Sequence, residues 1–145
     1  MKRAILDTDT LSFFFRNKPE VVEKMNAYLT IHGILNLSVV TYYEVLNGLL
    51  YKDAHKQLQK FERFIDLNQV IFLNIEIAKK AAEIYANLRK TGQVIGHNDV
   101  LIASTAIVHD LTLIDVQQQS LFQWQSGLSG QRRQDSRPSI YEPFH

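Results

Sequence analysis

Three acidic residues stand where short apolar runs end, and their spacing could assemble one polar site. Asp7 directly follows an apolar run, Glu44 lies about one turn into a helix-like segment, and Asp99 follows a glycine-bounded loop. Carboxylate oxygens without a thiolate or a nearby imidazole suit a hard cation such as Mg²⁺ or Mn²⁺ better than zinc. Such a cation can activate water and clamp a phosphodiester for in-line displacement, so the pattern indicates metal-dependent phosphodiester chemistry.

Each acid also has a purely structural explanation. Asp7 is a suitable helix N-cap, and Asp99 could serve the positive end of a helix macrodipole. The structural explanation is weakest for Glu44, because its neighbours are largely apolar and a buried carboxylate needs a partner or a metal. His97 is typical of a loop or capping histidine, and the other histidines show no ligand spacing.

The elements that must position these acids alternate between strands and helices. Short apolar runs predict strands at 4–6, 34–38, 70–73 and 111–114. Helical periodicity predicts helices at 10–15, 20–31, 39 or 40 to 51, 52–66, 75–90 and 98–109, the last apolar nearly all round. This order implies βαβ units and a parallel sheet, and ligands bind beyond the carboxyl ends of such strands.

Composition narrows the class of protein. A chain of 145 residues fits one domain, and the absence of cysteine excludes disulfide frameworks, thiolate metal sites and cysteine nucleophiles. Sixteen basic residues oppose 15 acidic ones, so no global charge indicates a nucleic-acid or membrane partner. The apolar runs are too short for a membrane span, and the first residues do not form a secretory signal, so we expect a cytoplasmic protein without membrane association.

The composition changes after Ile114. Residues 115–145 contain seven Gln, five Ser and three Arg without usable periodicity. We therefore predict a folded domain at 1–114 and an atypical tail at 115–145.

Three motifs, taken together and in order, resemble a PIN domain. They are Leu-Asp-Thr-Asp-Thr-Leu at 6–11, Ser-Val-Val-Thr-Tyr-Tyr-Glu-Val-Leu-Asn-Gly-Leu at 38–49 and Gly-His-Asn-Asp-Val-Leu-Ile-Ala at 96–103. The resemblance is collinear over 3–114. More narrowly, the motifs resemble the VapC toxins of prokaryotic toxin–antitoxin pairs. It implies a three-layer α/β/α fold with a parallel sheet of at least four strands.

The resemblance also implies a function. It implies an endoribonuclease that depends on Mg²⁺, with Mn²⁺ as a substitute, and that cleaves structured RNA of the tRNA or rRNA class. Asp7, Glu44 and Asp99 fall on the family's catalytic, metal-binding positions, and we assign Thr8 and Asn98 to substrate positioning. A homodimer and a cognate VapB-type antitoxin are the implied partners.

The chain departs from the family pattern after Ile114. The family continues into Thr-x-Asn/Asp-x-x-x-Phe, whereas this chain has Asp115 in place of the Thr and Gln117 in place of the acid or amide. Gln117 cannot replace an anionic ligand, and Asp115 is an additional candidate ligand. The alternative function is therefore a catalytically impaired PIN scaffold that still dimerises or binds antitoxin.

A frameshift would explain this departure. Back-translating the residues from 115 to 122 and skipping one base allows Thr-Ser-Asn-Asn-Ser-His-Phe, which restores the family pattern. This hypothesis predicts a lost final strand, a disordered or loosely packed tail and a weakened nuclease; a genuine Gln-rich binding segment is the alternative. A phospho-receiver domain is excluded, because Asp7 and Asp9 are not adjacent and no lysine follows Ile114.

Overall fold

The computed structural model describes residues 2–115 and 120–122, and within them the chain forms five strands and six helices. The strands are β1 (Ala4–Leu6), β2 (Asn36–Ser38), β3 (Gln69–Ile71), β4 (Thr112–Asp115) and β5 (Ser120–Phe122). The helices are α1 (Thr8–Phe15), α2 (Pro19–His32), α3 (Val39–Tyr51), α4 (His55–Leu67), α5 (Ile75–Lys90) and α6 (His97–Val108).

Polar side chains at or just after strand ends begin three of the helices. Asp7, Ser38 and Asn74 are the N-caps of α1, α3 and α5, and each accepts a hydrogen bond from a backbone N–H in the first turn. A cap of this kind satisfies a donor that has no partner inside the helix. Asp7 directly follows β1 and Ser38 ends β2, so at both places the chain turns into a helix at the carboxyl edge of the sheet.

The sheet has the strand order β3-β2-β1-β4-β5. The pairs β1–β2, β1–β4 and β2–β3 are parallel, and β5 runs antiparallel to β4. The chain leaves β1 toward β2 on one side and returns to β4 on the other, so the order reverses at β1. In open α/β sheets this reversal opens a crevice at the carboxyl ends of the strands.

Alternating side chains of the strands build two apolar layers, one on each face of the sheet. Ala4 and Leu6 pack with residues of α1, α2 and α4, including Phe61. Ile5 packs on the opposite face with residues of α3 and α6, including Ile102. The predicted three-layer α/β/α architecture with at least four parallel strands is thereby confirmed.

Several predicted boundaries move, among them the start of β2, which lies at Asn36 instead of 34. Helix α4 begins at His55 instead of 52, because Asp53 takes a left-handed backbone conformation with φ of 52° and separates it from α3. The predicted strand at 70–73 ends at Ile71. The apolar residues that follow, Phe72 and Leu73, are 71% and 41% exposed.

The segment after Ile114 contributes to the sheet. Ile114 pairs with Leu121 and Asp115 with Ser120, so the expectation that the final strand is lost was wrong for residues 120–122. Residues 116–119 and 123–145, including Gln117, lie outside the described residues, and the domain boundary at 114 stays a prediction. Among the residues that the structure describes, no helix has the length and apolarity needed to cross a membrane.

Candidate active site

The strand register brings the first predicted acid to the crevice at the carboxyl edge. Leu6 is in register with Leu37 on one side and with Ile114 on the other. Asp7 and the backbone of Asp115 therefore follow at the same level of adjacent parallel strands. The two positions flank the point at which the strand order reverses, where ligands of open α/β sheets bind.

Asp7 is a buried N-cap of helix α1. Its side chain is fully buried, and Oδ1 accepts a hydrogen bond from the backbone N–H of Thr10 at 2.7 Å. The positive end of the α1 macrodipole favours a negative charge at this point. The capping role considered from the sequence is confirmed, and it fixes one carboxylate rigidly at the carboxyl end of β1.

Glu44 is held by two neutral donors from two other elements. The hydroxyl of Thr8 donates to Oε1 at 2.5 Å, and Nδ2 of Asn98 donates to Oε2 at 3.1 Å. We call these three residues the Glu44 bridge. In the described part of the chain no lysine or arginine pairs with Glu44. The carboxylate is thus oriented by hydrogen bonds while its charge is left for a cation to neutralise.

Asp99 lies in the first turn of α6, next to the Asn98 end of the Glu44 bridge, and it is half-buried. Its Oδ2 lies 3.7 Å from the point where a Cβ on Gly96 would stand, so the carboxylate folds back over the start of the helix. This position also suits the helix macrodipole. The position agrees with the structural explanation given above, and the proposed ligand role stays a prediction.

The bridge explains how residues distant in sequence meet. Thr8 follows Asp7 and Asn98 precedes Asp99, so the bridge joins the neighbours of two acids through the third. Sequence reasoning missed Thr41, whose Oγ1 lies 3.2 Å from Oγ1 of Thr8. The sequence feature that could have revealed Thr41 is its position three residues before Glu44 on α3, because this spacing places both side chains on one helix face.

The candidate metal-ligand atoms at this edge are carboxylate oxygens, which are the ligand type that Mg²⁺ and Mn²⁺ prefer. Within residues 2–115 and 120–122, however, no group of three or more His, Cys, Asp or Glu side chains is placed to hold a metal ion. Asp7 serves as a cap, and Glu44 is engaged by Thr8 and Asn98. A shared metal on Asp7, Glu44 and Asp99, with Asp115 as an additional ligand, stays a prediction.

Comparison with known proteins identifies the family. The model of the PIN domain family matches residues 4–117. The chain belongs to the PIN domain family. The match extends beyond β4 and includes each of the predicted site residues, so the family assignment made from three motifs is confirmed.

Curated relatives of this PIN domain are VapC ribonucleases. Ribonuclease VapC1 of Haemophilus influenzae (strain R2866) is 26% identical over 127 residues, which cover 83% of this chain and 95% of the relative. Ribonuclease VapC1 of Methanocaldococcus jannaschii is 32% identical over 111 residues, which cover 77% of this chain and 73% of the relative.

Solved structures with the same fold are VapBC complexes. The DNA-bound VapBC from Salmonella typhimurium matches with a TM-score of 0.68 and 28% identity, covering 77% of this PIN domain and 83% of the matched chain. VapBC2 from Rickettsia felis, bound to a DNA fragment from its promoter, matches with a TM-score of 0.69 and 24% identity, covering 77% and 85%. The second likeness bears on the fold alone.

Proposed function

We propose that this PIN domain is a Mg²⁺-dependent endoribonuclease and the toxin of a VapBC-type toxin–antitoxin pair. The observation that carries the proposal is the Glu44 bridge, which ties the neighbours of Asp7 and Asp99 together at the carboxyl edge of the sheet. The VapC ribonucleases among its relatives support the nuclease class. The VapBC complexes among the solved structures support an antitoxin partner.

The side chains at this edge have separable roles in the proposal. Asp7, Glu44 and Asp99 would hold Mg²⁺, or Mn²⁺ in its place, and the ion would activate water and neutralise phosphate charge. Thr8 and Asn98 each bind one oxygen of Glu44, which leaves each oxygen a lone pair for a ligand.

The two positioning residues differ in what they offer to a substrate. The hydroxyl of Thr8 has one proton, and its hydrogen bond to Glu44 uses it, so its role is to orient that carboxylate. The amide of Asn98 has two N–H donors, and the hydrogen bond to Glu44 uses one. The second can donate to a phosphate oxygen of the RNA.

The remaining parts of the proposal concern the substrate, the partners and the cellular location. We infer structured RNA of the tRNA or rRNA class as substrate, a VapB-type antitoxin as inhibitor, a homodimer as the assembly and the cytoplasm as location. The nuclease relatives support RNA as the substrate class, and the VapBC complexes support the antitoxin.

RNA cleavage by the purified chain tests the proposal. Labelled tRNA and rRNA fragments are incubated with the protein in MgCl₂, in MnCl₂ or in EDTA. We expect cleavage with either metal and none in EDTA, and a loss of at least about 100-fold for Glu44→Gln or Asp99→Asn. Glu76→Gln, which removes an exposed acid from the first turn of α5, is the matched control and should keep full activity. Cleavage that persists in EDTA, or full activity of Asp99→Asn, would contradict the proposal.

Two observations favour the second candidate, a PIN scaffold that binds antitoxin or dimerises without cleaving RNA. The described residues contain no ready-made group of three acids, and Gln117 stands where the family pattern has Asn or Asp. Size-exclusion chromatography with a VapB-type antitoxin distinguishes the two. A stable complex formed by a chain that cleaves no RNA in Mg²⁺ or Mn²⁺ would favour the scaffold.

A further inference from the structure

Three side chains form a stack beside the Glu44 bridge. The imidazole of His97, the first residue of α6, lies on the ring of Tyr85 with centroids 4.4 Å apart and planes inclined by 27°. The guanidinium of Arg89, one turn along α5, lies 5.7 Å from the centroid of the same Tyr85 ring. We call His97, Tyr85 and Arg89 the His97 platform.

Packing against α5 and α6 holds the platform in place. Tyr85 is half-buried and packs against the apolar cluster between α5 and α6 that includes Ile84 and Val100. The turn after α5 is also fixed, because the Thr91 hydroxyl donates to the carbonyl of Leu88 at 2.9 Å. A ring that is already ordered loses little conformational entropy when a ligand binds.

Part of the platform faces solvent. His97 and Arg89 are both exposed. One face of the imidazole lies against Tyr85, so the opposite face is the one on which another flat ring can stack. The exposed guanidinium of Arg89, which contacts the same Tyr85 ring, can bind a phosphate.

The platform borders the candidate active site through the chain itself. His97 directly precedes Asn98, whose amide donates to Glu44 at 3.1 Å. An RNA whose scissile phosphate lies at the Glu44 bridge can therefore place an adjacent nucleotide on His97. The acids of the candidate site repel the rest of the RNA backbone, whereas the positive charge of Arg89 attracts it.

We propose that the His97 platform binds the nucleotide next to the scissile phosphate, with its base on His97 and its phosphate on Arg89. This inference depends on the proposed RNA substrate. Stacking on an aromatic ring accepts every base, because each base has a π-face. The platform thus anchors the RNA and sets its position without reading its sequence.

RNA binding by the full chain in an Asp99→Asn background tests the platform, with a fluorescein-labelled single-stranded RNA oligonucleotide of mixed sequence followed by anisotropy. His97→Ala should raise the Kd at least about fivefold, the lower end for loss of one base–aromatic stack, and His97→Phe should restore binding. Arg89→Ala should lower the slope of log Kd against log salt by about 0.7, and Arg89→Lys should keep it.

Matched controls and a kinetic measurement separate binding from structure. His55→Ala and Arg63→Ala remove exposed residues from α4, which packs on the opposite face of the sheet, and both should bind RNA like the parent. With Asp99 intact, His97→Ala should raise KM and keep kcat. A merely structural stack would instead lower the thermal midpoint and leave KM unchanged.

Unchanged RNA affinity of His97→Ala, or equal weakening by His97→Phe and His97→Ala, would overturn the platform. A chain that binds no RNA would overturn it as well. If the chain with all three acids fails to cleave RNA but binds it in a His97-dependent way, the nuclease proposal fails and the platform stands.

Discussion

Substitution of Asp7 separates two roles that one carboxylate can play. The fully buried side chain caps α1 through Oδ1, and the same group is a proposed metal ligand. Asn is as good an N-cap as Asp, since its amide oxygen accepts the same hydrogen bond without a charge. Asp7→Asn therefore keeps the cap and removes the anionic ligand, whereas Asp7→Ala removes both.

The expected magnitudes follow from the geometry of the cap. Loss of an N-cap costs about 0.5–2 kcal/mol of stability. In Asp7→Ala the N–H of Thr10 also loses its 2.7 Å acceptor in a buried place, which adds the cost of an unsatisfied donor. We expect a total near 2–3 kcal/mol for Asp7→Ala and about 1 kcal/mol or less for Asp7→Asn.

Chemical denaturation and RNA cleavage, measured on both variants, check this reasoning. We expect Asp7→Asn to unfold close to the parent and to lose Mg²⁺-dependent cleavage, and Asp7→Ala to unfold earlier and to lose cleavage too. Full cleavage by Asp7→Asn would show that Asp7 is a cap and not a ligand. Equal destabilisation by both variants would refute the assignment of Oδ1 as the capping atom.

Three further predictions concern the core, the pH dependence and the gene. Val100→Asp or Ile102→Asp places a charge in the buried face of α6 and should abolish folding, measured by circular dichroism and solubility; a folded variant would contradict the packing. Burial, reinforced by a hydrogen bond to Glu62, raises the pKa of Tyr42. The raised pKa stabilises the fold below about pH 10, and this stabilisation is lost as pH rises through the folded-state pKa. Tyr42→Phe should therefore lose less stability than the parent in an alkaline titration, and an equal loss would count against the coupling. Sequencing the gene near codon 115 tests the frameshift. Deleting one base from the determined sequence should restore codons for Thr-x-Asn-x-x-x-Phe, and a nucleotide sequence that does not do so disproves the frameshift.

The alternation of strands and helices could be predicted from the sequence because apolar runs and helical periodicity are local signals. The limits of β3 could not be predicted from the sequence. Apolarity predicted a strand through Leu73, but pairing with β2 ends it at Ile71. The pairing register depends on a strand more than 30 residues away, which no local pattern contains.

The types of the site residues could also be predicted, whereas their contacts could not. Thr8 and Asn98 were expected to position substrate, and the structure shows both bound to Glu44. These hydrogen bonds join residues 36 and 54 positions apart, so they follow from the packing of three helices. The cap formed by Asp7 was visible in advance because it spans only three residues.

The central position of β1 has a consequence for how the chain is made. Ala4 pairs with Thr112, so β1 receives its second neighbour only after β4 has been synthesised. Until then the nascent chain can form β1, β2 and β3, but the crevice beside Asp7 lacks the side that β4 provides. Bringing such distant segments together carries a loop-closure cost, and long-range parallel pairing is slow. A chain released before residue 112 would leave one edge of β1 unpaired and the crevice incomplete, so the order of synthesis delays the formation of the crevice.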